Sequence, residues 1–354
     1  MMSMKTGARS RLSQILLFGA ASLLTAQAFS VQEFPQIFGK PQGIVAGPDG
    51  NIWLVEEDSS KVAQMDRNGN LLREITLPAG SAPHGIVVGP DGNFWFTEKG
   101  TSKIGKMDVN GTLLDEFAVG SPPESIAVGP DGNLWFTEES ANRIGKMDTI
   151  GRLLGEFLIP TSGGKPRAIT ADPCGDASLW FTEQIGRVGR IDTAGRVTEF
   201  ANTGIGSNLR GITRGPAGDC NLYVADRGQD CIVKVNAAGQ IANIFFLAIG
   251  SGPTGVVAGP DGNLWFTENG LNRIGQLTTA GDVKQEATIP SPATLPEGIA
   301  VGPDGNIWFT EAGGNRVGRV FTGISPPPTP TPTPGGLTVV PRHGTPGPRP
   351  FRTP

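Results

Sequence analysis

The sequence predicts an all-β chain folded as a seven-bladed β-propeller of four-stranded blades, closed by an N-terminal strand that completes the last blade. Three observations lead there. A near-identical decapeptide recurs: GPDGNLWFTE stands at 129–138 and 259–268, with GPDGNFWFTE at 89–98 and GPDGNIWFTE at 302–311. A Pro-x-Gly-Ile-like start recurs at 41, 83, 123, 166, 209, 253 and 296, in steps of 40 to 44 residues, the length of a propeller blade. All six Trp and the single Tyr fall at one position of this repeat: Trp53, Trp95, Trp135, Trp180, Tyr223, Trp265 and Trp308. A large aromatic at one level of every blade fills a ring of core between neighbouring blades.

The elements follow in chain order. Residues 1–28 open with Lys5, Arg9 and Arg11, continue through an apolar run from Ile15 to Leu24 and end on Ala26-Gln27-Ala28. This is the pattern of a secretory signal peptide cut after Ala28, and it predicts a secreted protein, periplasmic or extracellular. The run is short of the roughly 20 residues a membrane span needs, so no span is expected. Each repeat then reads as four short strands, with GIAVG-like, NLWFTE-like, NRIGKMD-like and LLGEFLIP-like segments as strands A to D. Pro-Asp-Gly-Asn turns A into B, and Asn-Gly or Ala-Gly pairs turn C into D. An Asp capping its own turn accounts for the Asp of GPDGN without a metal. The seventh repeat ends at GRVFTGIS with no fourth strand, whereas residues 32–40, QEFPQIFGK, resemble one and are expected to close the ring. The propeller is thus placed at 29–325. Residues 326–354 are rich in Thr-Pro, favour an extended chain and build no core, so a disordered tail is expected. A net charge of −4 without a basic run argues against a nucleic-acid partner, and a monomer is expected.

Chemistry has two places to sit. An acid closes every strand B: Glu56, Glu98, Glu138, Glu183, Asp226, Glu268 and Glu311. Together they are expected to face the channel mouth, either paired with the cations just beyond (Lys61, Lys103, Arg143, Arg187, Arg273, Arg316) or recruiting a metal. Because the feature is written into every blade, it fits architecture better than catalysis. The x of Pro-x-Gly-Ile behaves differently, reading Gln42, His84, Glu124, Arg167, Arg210, Thr254 and Glu297 around the ring. Neither turns nor packing require that variety. It suggests a two-sided mouth for a small polar ligand or peptide, with Arg167 and Arg210 as anion receptors. His84, the only histidine outside the tail, is a candidate base. Of the three cysteines, Cys174 and Cys220 fall in the A–B turns of consecutive blades, where a bridge is expected, which leaves Cys231 a buried thiol.

The GPDGNLWFTE…NRIG pattern and the closing N-terminal segment, over roughly residues 32–322, resemble the streptogramin B lyase (virginiamycin B lyase) family. The resemblance implies a seven-bladed propeller using Mg²⁺ to linearise a cyclic depsipeptide. In that reaction a base removes a proton while the metal polarises the ester carbonyl. The family's active residues are a histidine at the x position of each of the last two repeats, an acid two residues before the second histidine, and the ring acid of the last blade. Here those positions hold Thr254, Glu297, Leu295 and Glu311, so only the ring acid is retained. The metal set available is Glu268, Glu297 and Glu311, and the catalytic set is Glu297, Glu311 and His84. The alternative is a non-catalytic propeller that binds a ligand, glycan or protein, related to NHL-type propellers.

Overall fold

The computed structural model describes residues 29–34, 39–200 and 207–324; the expected signal peptide and tail lie outside them. Twenty-eight strands, β1 to β28, form seven four-stranded antiparallel sheets. β2 (Pro41–Ala46) to β5 (Leu71–Thr76) make blade 1, and each next four strands make the next blade through β25 (Val283–Thr288) in blade 6. Blade 7 combines β26 (Pro296–Val301), β27 (Ile307–Glu311) and β28 (Arg316–Val320) with β1 (Val31–Glu33).

The closing strand begins at Val31, one residue before the expected 32–40, and residues 35–38 of that expectation lie outside the described residues. It pairs Val31 with Val320 and Glu33 with Gly318; Phe34 N then donates to the Val317 carbonyl at 2.9 Å while its ring stacks on Trp308 at 5.1 Å. Upstream, Phe29 packs on Trp265 at 5.0 Å. Its ring serves where the outer strand of blade 6 has Ala287, opposite Ile274, while blades 2 and 3 have Phe117 and Phe157 opposite Ile104 and Ile144.

The hydrophobic core is a set of wedges between blades. Trp53 and Val55 of blade 1, for example, pack with Phe94 and Phe96 of blade 2. Each aromatic of the ring keeps a polar tie to its A–B turn: Trp95 Nε1 donates to Asp91 at 3.1 Å, and Tyr223 Oη donates to Asp219 at 2.7 Å. Tyr replaces Trp because both carry a donor at the far end of an apolar ring. The glycine of NRIG has an equally local reason. A Cβ on Gly105 would lie 2.2 Å from the Phe96 ring, its cross-strand neighbour. In blades 1 and 5, where that Phe becomes Leu54 and Val224, the glycine becomes Ala63 and Val233. Cys174 and Cys220 are bridged between blades 4 and 5, with Cα atoms 5.0 Å apart. Cys231 is a free, buried thiol whose pKa is pushed up to about 12 by burial and by Asp226 and Asp230.

Candidate functional site

Strand A is extended, yet its x residue turns into the mouth, and the cause is a bulge. The register of strand A against strand B slips between Pro83 and Ile86, between Leu209 and Ile212 and between Pro296 and Ile299, with the same slip in blades 1, 4 and 6. A bulge re-aims a side chain that regular pleating would send elsewhere. The bulged backbone is then stitched to its neighbour by the Thr of WFTE. Thr97 Oγ1 accepts from Gly85 N at 2.8 Å and donates to the Glu124 carbonyl of the next blade at 3.0 Å. Thr137, Thr182, Thr267 and Thr310 likewise donate to the carbonyls of Arg167, Arg210, Glu297 and Gln42. The last of these closes the circle from blade 7 to blade 1.

All seven x residues line one cavity of about 390 Å³, together with Lys40, Glu57 and Lys99. Most of its charges are paired. Buried Glu124 receives Lys99 at 2.6 Å and Arg167 at 2.9 Å. Burial raises its pKa, but His84, Arg167 and Lys99 outweigh that and hold the carboxyl below the usual range. Arg167 also takes Glu139 at 2.5 Å, and Lys40 takes Glu57 at 2.8 Å. His84 belongs to this network: Nδ1 lies 3.1 Å from the Glu124 carbonyl and Nε2 3.6 Å from its carboxylate. Thr254 is buried and donates to the Pro296 carbonyl at 3.0 Å, and Gln42 donates to Glu57 at 2.7 Å.

Glu297 stands apart. Among the described residues it has no ion pair; Asn269 Nδ2 donates to its Oε1 at 3.0 Å, and Arg227 in turn donates to Asn269 at 3.2 Å. Burial raises its pKa above the ordinary carboxylate value, against the pull of Arg227, His84, Arg167 and Lys40. Arg210, on the cavity wall, also has no ion pair among the described residues, and its Nε is buried without a hydrogen-bond partner there.

The ring acids are not at the mouth. Glu56, Glu98, Glu138, Glu183, Asp226, Glu268 and Glu311 are fully buried, and none lines the cavity. Strand alternation puts Glu56 on the side of Ile52 and Leu54 and leaves Glu57 to open outward. Six ring glutamates face a glutamate of the outer strand: Glu74, Glu116, Glu156, Glu199, Glu286 and, for Glu311, Glu33 of β1. Burial, followed by that second carboxyl, pushes Glu56, Glu183 and Glu311 up to about 8 and Glu98, Glu138 and Glu268 up to about 7. The cations expected to pair with the ring acids bind the outer glutamates instead, as in Lys61–Glu74 at 2.9 Å and Arg316–Glu33 at 3.1 Å.

This placement decides the metal question. Glu268 and Glu311 each sit inside their own blade against Glu286 and Glu33, while Glu297 faces the cavity and is held by Asn269. The three do not form one donor set, and among the described residues no group of three or more His, Cys, Asp or Glu is arranged to hold a metal. The expected Mg²⁺ ligands therefore do not fit the ion. The site residues that the sequence reading passed over follow the ring acid directly: Glu57 and Lys99 line the cavity, Glu139 and Asn269 hold its lining residues, and Arg227 backs Asn269. The signal was present, because they vary as freely as the x residues. A larger hollow of about 620 Å³, under Phe29 and Trp265, gathers no comparable set of charges.

The sequence profile of the virginiamycin B lyase family matches residues 20–220 and 159–334. The chain belongs to that family. Solved structures agree with the assignment. One described as a streptogramin B lyase shares 29% identity, with 83% of this chain and 98% of the other covered, at a TM-score of 0.76. Virginiamycin B lyase from Staphylococcus aureus shares 30%, over 82% and 99%, at 0.75. A catalytically inactive variant of the Staphylococcus aureus lyase, solved with quinupristin, shares 31% over the same shares at 0.75. No curated protein matches the chain. Among the described residues no helix is long and apolar enough to cross a membrane.

Proposed function

We propose that this family member is an exported carbon–oxygen lyase that opens an ester of a small depsipeptide-like ligand, with Glu297 as the base. The observation that carries the reading is Glu297 itself. It occupies the x position of the last blade, faces the cavity without an ion pair among the described residues, and has a pKa raised by burial. A carboxylate with a raised pKa is a stronger base than an ordinary one. Asn269, backed by Arg227, fixes its orientation. In the elimination, Glu297 takes a proton from the carbon next to the one bearing the ester oxygen. That electron pair becomes a C=C bond, and the C–O bond breaks with its electrons leaving on a carboxylate. No water is consumed. The Cys174–Cys220 bridge supports export, since disulfides persist in oxidising compartments.

The test is incubation of the mature domain with a streptogramin B-type cyclic depsipeptide, followed by chromatography and mass spectrometry. Expected is a ring-opened product of unchanged mass, absent with Glu297→Gln. A product that has gained one water overturns elimination. A second reading, a non-catalytic receptor for a polar ligand or peptide, is favoured by the pre-paired Lys99–Glu124–Arg167–Glu139 wall. Saturable ligand binding without any ring opening selects it.

A further inference from the structure

We propose that Arg210 is the anion receptor of the mouth, and that its guanidinium does without a metal what the family's Mg²⁺ is expected to do: hold the carboxylate leaving group of the ester. This rests on the elimination reading for the identity of the leaving group. The geometry singles out Arg210 by exclusion.

Five side chains bring positive charge or imidazole nitrogen to the mouth, Lys40, His84, Lys99, Arg167 and Arg210, and Arg227 lies behind Asn269. Lys40 is held by Glu57, Lys99 by Glu124, and Arg167 by both Glu124 and Glu139. His84 lies against Glu124, and Arg227 is spent on Asn269. Of the five that line the cavity, Arg210 alone has no ion pair among the described residues, and its Nε is buried with no acceptor, whereas Arg227, which has no ion pair either, is engaged by Asn269. A buried donor without an acceptor is costly, and the cost is removed when a ligand supplies one. The backbone beneath it is fixed on both sides, by the bulge between Leu209 and Ile212 and by the Thr182 hydrogen bond to its carbonyl at 2.7 Å.

The chemistry suits the position. A guanidinium presents parallel N–H donors that match the two oxygens of a carboxylate. In the elimination, negative charge grows on those oxygens as the C–O bond breaks, so a fixed cation there stabilises the transition state more than the neutral ester. Glu297 and Arg210 are x residues of blades 7 and 5, with only Thr254 of blade 6 between them along the ring. Base and receptor thus stand on separate blades of the one cavity, and the ester would lie between them. The donor set Glu268, Glu297 and Glu311, by contrast, cannot converge on a metal. The ligand class that follows is an ester whose acyl half leaves as a free carboxylate, or a product already carrying one.

The experiment uses N-acetylglycine as a carboxylate probe, titrated calorimetrically into the mature protein with EDTA and, separately, with Mg²⁺. Saturable binding of equal affinity in both conditions is expected. Arg210→Ala should weaken it by roughly tenfold or more, the range for a lost charged hydrogen bond. Arg210→Lys, which keeps the charge and the bulk but loses the fork, should fall between; it also serves if the alanine variant does not fold. Equal affinity in wild type and Arg210 variants, binding that needs Mg²⁺, or no binding at all each overturns the inference. Ring opening that requires added Mg²⁺ sinks the receptor and leaves the lyase standing. Arg210-dependent probe binding without ring opening does the reverse.

Discussion

Two populations of glutamate share this ring, and they have opposite fates. Glu311 closes strand B of blade 7, is fully buried and faces Glu33 of the closing strand. Glu297 begins strand A of the same blade, opens into the cavity and faces an amide. Burial raises both pKa values, but for the first the shift is a property of the scaffold, whereas for the second it falls where a ligand can meet it. The Glu311 arrangement recurs in six blades. In blade 5, where the outer strand offers Ile244 in place of a glutamate, the ring acid shrinks to Asp226 and accepts from the backbone of Asn208 and Gly228. A motif that adjusts to its own outer strand is structural. A raised pKa is therefore evidence of function only when it comes with access.

The sharpest way to break this comparison is to neutralise one member of each population. Glu297→Gln should lower the elimination rate by about 100-fold or more, the usual worth of a general base, while Glu268→Gln should leave it within a few fold. Steady-state kinetics of ring opening decide it, and equal losses would erase the distinction. Next in size is Thr267→Val, which removes the donor to the Glu297 carbonyl and the acceptor of Gly255 N. We expect a loss of about 1–3 kcal/mol in denaturant unfolding. Thr137→Val should cost about as much, but only Thr267→Val should also disturb the base.

The scaffold carboxyls have a signature of their own. Their folded pKa values of about 7 to 8 lie above the ordinary value of 4.5. Between those limits the folded ring keeps protons that the unfolded chain has lost, so stability falls as pH rises through that interval and levels off above it. Thermal unfolding should have a midpoint several degrees lower at about pH 9 than at about pH 5.5. Glu56→Gln, which supplies a neutral group of the same shape, should raise stability at about pH 9 by an amount on the order of 1 kcal/mol and flatten the slope. A profile that rises with pH would place the charge on these acids in the folded state. The smallest effect expected is on the thiols: denatured, unreduced protein should titrate one free group, Cys231, and three would dispose of the bridge.

Much of this molecule was legible in the chain. Seven repeats, the Trp and Tyr positions, the turn residues and the missing last strand specify a closed seven-bladed ring, because each blade repeats one local solution to burying its faces. The x positions could be singled out because variation at fixed register marks residues that packing does not constrain. The closing strand was legible as a role, whereas Phe34 and Phe29 add aromatic cover that no strand pattern encodes.

The rest depended on which way side chains turn. One residue separates Glu56 from Glu57 in sequence, and pleating sends the first into the blade and the second to the mouth. The bulge at x-Gly appears only when strands A and B are paired. Which charges are left over is settled only after every other pair has formed around the axis, so Arg210 and Glu297 emerge from the assembled ring. The sequence by itself determined the architecture and the set of variable residues, since both are written in local, repeated chemistry. The tertiary structure alone decided which carboxylates face water, which cations remain unpaired and that the metal set does not converge, since these depend on contacts between blades far apart in the chain.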